Sequence, residues 1–150
     1  MRKACLILAA MTLVACGRGD GDVTADSPAA ATAPALTFAD FAGRWSIQLL
    51  SDMSDSVLAT YEMNATADGS SWTLTPAGRE PIPVRAAVAG DSLELDAGPY
   101  KATAPANVDV TTHAVSRLEG GMLVGAFMSQ YALAGGDSVV RGRVRGTRVP

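Results

Sequence analysis

From residue 44 onward, apolar and polar side chains alternate with a period of two. Trp45, Ile47 and Leu49 alternate with Arg44, Ser46 and Gln48, and Val57, Ala59, Tyr61 and Met63 alternate with Leu58, Thr60, Glu62 and Asn64. Trp72 and Leu74 continue the pattern, as do Ile82, Val84, Ala86 and Val88, then Leu93 and Leu95, then Val108, Val110, Thr112 and Ala114. A long run covers Met122 to Leu133. The last segment sets Val140, Gly142, Val144 and Gly146 against Arg141, Arg143, Arg145 and Thr147. Such alternation marks strands with one face buried and one face wet. Asp68-Gly69, Gly90-Asp91, Glu119-Gly120-Gly121 and Gly135-Gly136-Asp137 separate successive runs, and these residue types supply the positive φ of tight hairpins. Eight strands with no amphipathic helix between them predict an all-β fold, an eight-stranded antiparallel up-and-down barrel whose closure removes exposed edges. A β-sandwich is the alternative. Before the first strand, Thr37-Phe38-Ala39-Asp40 fits a capping-box start, which predicts one helical turn with Phe38 and Phe41 facing inward and Gly43 ending it.

The N-terminus follows a different pattern. Met1, Arg2 and Lys3 precede an apolar run from Ala4 to Ala15, too short for the roughly 20 residues of a membrane span and suited to a signal peptide over 1–15. The run ends in Leu13-Val14-Ala15-Cys16, which resembles the lipobox of bacterial lipoproteins. The resemblance implies cleavage before Cys16 and lipidation of its thiol, with enough acyl chains for stable attachment to a membrane. By the same resemblance, Gly17 rather than Asp after the cysteine implies the periplasmic face of the outer membrane. Cys5 would leave with the leader, so the mature chain would hold no disulfide. Residues 16–36 are Gly, Asp, Ala, Thr and Pro with almost no large apolar side chain, and read as a flexible tether. All of the Phe, Trp and Tyr residues fall between Phe38 and Tyr131, which assigns the folded domain to 37–150.

Gly43-Arg44-Trp45, at the start of the first strand and after a helical turn, resembles the opening motif of lipocalin and calycin barrels. The resemblance implies that Trp45 closes one end of the barrel and that an arginine of the last strand packs over it. Arg148 shares the inward parity of Val144 and Gly146 and is the matching residue. A second lipocalin motif, a Thr-Asp-Tyr-like turn, has no counterpart here, and no helix follows the last strand.

Composition narrows the chemistry. The formal charge is −3, and loss of Arg2 and Lys3 with the leader makes it more negative, which disfavours nucleic-acid binding. His113 is the only histidine and falls on a polar face with Asp109 and Thr111; one His and no mature Cys do not make a usual zinc site or a catalytic triad. Asp52 and Asp55, and Asp91, Glu94 and Asp96, sit in loops or on outward faces, where nothing raises a carboxyl pKa for acid–base work. Asp20, Asp22, Thr24 and Asp26 have the alternate spacing of a calcium loop but lack its Gly and terminal Glu, and Arg18-Gly19-Asp20 is a short motif in a Gly/Asp-rich tether. Arg141, Arg143 and Arg145 form a basic outer stripe. The expectation is a non-enzymatic protein with no cofactor and no metal.

Function then falls to the barrel interior. Small inward residues, Ala59, Ala86, Ala114, Gly142 and Gly146, suit a hollow barrel or a narrow filled one equally well. In the hollow case Tyr61, Met63, Trp72 and Thr112 are the candidate contacts of a small, largely apolar ligand. In the filled case the domain is an accessory or interaction module of an envelope complex, its protein partner unspecified.

Overall fold

The computed structural model describes residues 35–150. The lipobox, Cys16 and the start of the tether lie outside the described residues. A single turn, α1 (Phe38–Phe41), leads into β1 (Gly43–Ser51), β2 (Val57–Ala65), β3 (Trp72–Pro76) and β4 (Ile82–Ala89). β5 (Ser92–Lys101), β6 (Asp109–Glu119), β7 (Met122–Ala132) and β8 (Ser138–Arg148) complete the chain. Each strand pairs antiparallel with the next, and β8 returns to pair with β1, so the eight strands close into an up-and-down barrel. The sandwich alternative is thereby set aside: a sandwich would leave the β1 and β8 edges unpaired, whereas here Trp45↔Arg148 through Ser51↔Gly142 form a continuous ladder.

Up-and-down order sorts the loops. The β2–β3, β4–β5 and β6–β7 connections share one end with α1 and the C-terminus, and the other four connections form the opposite end, called the mouth below. The α1 end is packed. Phe41, Trp45, Met63 and Leu93 are fully buried, and Trp72 and Leu123 nearly so.

Two irregularities shape the interior. A register shift between Leu49 and Leu50 leaves Leu58 of β2 without a β1 partner; Leu49 and Leu50 are both buried, Leu49 in the barrel core. A second shift lies between Ala97 and Tyr100, where three steps along β5 span two steps of β6, from Thr112 to Val110. Gly98 sits in this bulge at φ 116°, and a Cβ there would stand 2.6 Å from the Val110 carbonyl oxygen, so only glycine fits without strain. The extra residue reverses the parity of β5, and Tyr100 points to the same side as Leu93, Leu95 and Ala97.

Candidate functional site

At the packed end, Trp45 and Arg148 are direct partners across the β1–β8 seam. The Trp45 indole Nε1–H donates to the Phe41 carbonyl at 2.8 Å. The Arg148 guanidinium carbon lies 4.4 Å from the centroid of the Trp45 ring, and its nitrogens donate to the carbonyls of Ala42 and Asp40. Arg148 thus covers the tryptophan and also holds the carbonyls at the end of α1, which helical geometry leaves without partners.

Trp72 donates to the Thr66 carbonyl at 3.0 Å, and its ring takes the edge of Phe38 at 5.9 Å. The β2–β3 turn beside it depends on Asp68, whose carboxylate accepts from the Ser70 backbone N–H at 3.0 Å and from the Ser70 hydroxyl. These bonds and one from Thr66 lower the Asp68 pKa from 3.8 to about 2. A carboxyl held below its ordinary pKa stabilises the fold above that pKa and loses the contribution as pH falls. Asp40, held by Thr37, and Asp55, held by Arg143, shift the same way. Stability measured by urea titration is therefore expected to be level from neutral pH down to about 4 and to fall below it, and Asp68→Asn is expected to flatten that fall.

The barrel centre is nearly full. The enclosed space bounded by Ile47, Leu74, Leu95, Ala114 and Val144 has a volume of about 30 Å³, room for one water. The small inward residues do not widen it, because their neighbours occupy the space. The Phe127 ring lies against Gly142, and Ile47 and Leu123 lie against Gly146. The polar atoms here are hydroxyls. Thr112 Oγ1 bonds Ser129 Oγ at 2.7 Å and the Tyr100 hydroxyl at 3.1 Å, a line that runs from the interior toward the mouth. Ser116 Oγ, farther along β6 toward the packed end, is buried with no hydrogen-bond partner among the described residues. An unpaired buried hydroxyl costs more than a methyl, so Ser116→Ala is expected to raise the unfolding free energy by about 1 kcal/mol in urea denaturation.

The mouth is open. A basin of about 250 Å³ lies between Leu58, Ala59, Tyr61, Tyr100, Val110 and Tyr131. The chain's three tyrosines meet here from β2, β5 and β7. Burial, then the neighbouring Tyr100 and Tyr131 hydroxyls, push the Tyr61 pKa upward, and Arg79 pulls weakly the other way. Burial and Tyr100 raise Tyr131 likewise. These two phenols stay protonated at neutral pH and are able both to donate and to accept.

The residues proposed from sequence therefore separate. Trp45 and Arg148 stack at the packed end. Tyr61 and Thr112 line the interior, and Tyr61 also lines the mouth. Met63 and Trp72, expected as ligand contacts, line neither space: they sit toward the packed end of β2 and β3 and are buried among core side chains. Tyr100 and Tyr131 belong to the mouth and were not singled out. The parity of Tyr131 with Phe127 and Ser129 was a usable signal, but that of Tyr100 was concealed by the bulge.

On the outside, His113 Nδ1 lies 2.8 Å from Asp96 Oδ1, a cross-strand pair exposed to solvent. Arg143 reaches from β8 to the carbonyls of Ser51 and Ser54 and to Asp55 at 2.8 Å, pinning the β1–β2 loop. Among the described residues, no three His, Cys, Asp or Glu side chains gather as a metal site would require.

No protein-family model and no curated protein sequence matches this chain. Among solved structures it is similar to the crystal structure of a rhizavidin–biotin complex, with 16% identity over 73% of this chain and 94% of that one, and a TM-score of 0.46.

Proposed function

We propose that this domain is a non-catalytic binding module that seats a small, largely apolar ligand at the mouth of its barrel. The observation that carries the reading is the contrast between the mouth and the centre. A basin of about 250 Å³, walled by aliphatic side chains and three tyrosine hydroxyls, sits above an interior of about 30 Å³. Apolar walls with a few convergent polar groups are the usual make-up of a ligand site. The basin is smaller than the ~300 Å³ at which drug-sized pockets begin, so the ligand is small and rests at the rim. The resemblance of Leu13-Val14-Ala15-Cys16 to a lipobox supports a lipid-anchored protein of the cell envelope, on the periplasmic face of the outer membrane.

The near-full centre favours a second reading, an accessory domain that docks to an envelope protein. Met53, Leu58, Leu133 and Val139, all exposed and all at the mouth end, are the side chains such a partner would cover.

Native mass spectrometry of the full chain, extracted gently from membranes, separates the two. An added small mass that is lost on denaturation, and lost in Tyr131→Ala, supports the ligand module. A bare mass after exposure to envelope extract moves the assignment to the accessory domain. Cell fractionation of Cys16→Ser tests the anchor: the variant is expected to leave the membrane fraction, and wild-type retention would refute lipidation at Cys16.

A further inference from the structure

The barrel wall parts beside Tyr100. β4 and β5 pair from Ala89↔Ser92 to Val84↔Ala97 and no further toward the mouth. Pro83 comes next on β4, and Gly98 then Pro99 on β5, and neither proline has an N–H to extend the ladder. A lateral cleft of about 520 Å³ opens there between the β3–β4 loop and β5. Pro81, Pro83, Pro99 and Tyr100 line it, and Arg79, Glu80 and Lys101 supply its charges.

Arg79 is the distinctive group. Its Nη1 donates to the Lys101 carbonyl at 2.9 Å and to Thr103 Oγ1 at 3.2 Å, tying the β3–β4 loop to the far side of the cleft. Both acceptors are neutral, and Arg79 has no carboxylate partner among the described residues, whereas the Lys101 ammonium is already paired with Asp109 at 2.8 Å. The remaining N–H groups of Arg79, on Nε and Nη2, make no hydrogen bond among the described residues. Thr103, which Arg79 bonds, also lines the mouth basin, so the guanidinium stands between cleft and mouth. Tyr100 lines cleft, mouth and interior alike.

We infer that the ligand is a small organic acid: its carboxylate lies in the lateral cleft on the free edge of Arg79, and its apolar body passes Tyr100 into the mouth basin. A pre-oriented guanidinium with its three N–H groups on Nε and Nη2 free, two of them side by side along one edge, matches a carboxylate in a charge-assisted pair. Glu80 on the same rim opposes a second negative charge, which favours monoanions over inorganic phosphate. The inference rests on the mouth being a ligand site and adds the chemical class of the ligand.

The test is isothermal titration of the full chain with carboxylates from acetate to decanoate and with phenylacetate, each against its primary amide, and with inorganic phosphate. The tightest carboxylate is expected to bind about tenfold better than its amide, and phosphate more weakly than that carboxylate. Arg79→Gln is expected to erase the difference between acid and amide. Arg85→Gln, an equal charge change on β4 outside the cleft, is expected to leave it intact, and Arg79→Lys to retain part of it should the glutamine variant not fold. If amides bind as well as acids, or if the acid preference survives Arg79→Gln, the inference falls and the mouth site stands. Phosphate binding more tightly than every carboxylate overturns it too. If neither acids nor amides bind, both readings fall.

Discussion

Trp45→Ala is expected to cost about 3–5 kcal/mol of unfolding free energy, close to the whole stability of many domains of this size. The ring is fully buried, it is the floor of the barrel, and nothing beside it is free to fill the gap. Its loss also leaves Arg148 without a surface to lie on and frees the indole's acceptor, the Phe41 carbonyl. Urea denaturation followed by circular dichroism measures the change. A loss under about 1 kcal/mol would mean that Trp45 is an ordinary, replaceable core residue. A double-mutant cycle with Trp45→Leu and Arg148→Gln isolates the stacking itself. Its expected coupling is about 0.5–2 kcal/mol, the range for a cation over an aromatic face, and zero coupling would assign Arg148 to the α1 carbonyls alone.

The second large effect comes from the smallest residues. A Cβ at Gly142 would stand 2.1 Å from the Leu50 carbonyl oxygen, and one at Gly125 would stand 2.0 Å from that of Val115. Both obstacles are backbone, so a strand has to move rather than a side chain. Gly142→Ala and Gly125→Ala are each expected to destabilise by about 3 kcal/mol, at the upper end for overpacking, although alanine is the gentlest substitution available. Gly135→Ala serves as the comparison. A Cβ there meets nothing within 4 Å, and little change is expected. Equal behaviour of Gly135→Ala and Gly142→Ala in thermal unfolding would show that the β1–β8 seam yields easily.

Strand number, order and the helical turn were legible in the sequence because period-two alternation and Gly/Asp turns are local signals. The seam was legible through topology, since closure makes the Gly43-Arg44-Trp45 strand and the arginine-rich last strand direct neighbours. The lumen was not legible. Gly142 and Gly146 allow either a wide interior or an inward-leaning neighbour, and the side chains that the closed barrel sets against them, Phe127 and Ile47, decide for the second. The parity of Tyr100 was hidden by one inserted residue in β5. The Asp96–His113 pair escaped because the seven-residue connection between β5 and β6, residues 102–108, does not fix the register of those strands as a two-residue turn would.

The closing ladder also governs the order in which the molecule assembles. Trp45 and Arg148 are neighbours in space but stand at opposite ends of the domain's chain, so their contact forms only after the intervening hairpins have brought the two edges together. Hairpins β4–β5 and β6–β7 join strands through tight turns and form locally, on a timescale of about 1–10 μs. The seam is expected to be the late step, and barrels dominated by such distant pairings fold in roughly milliseconds to seconds. Contacts made after the transition state control the rate of leaving the native state, so the tryptophan–arginine stack acts as a latch. Weakening it is expected to quicken unfolding and to leave refolding nearly unchanged.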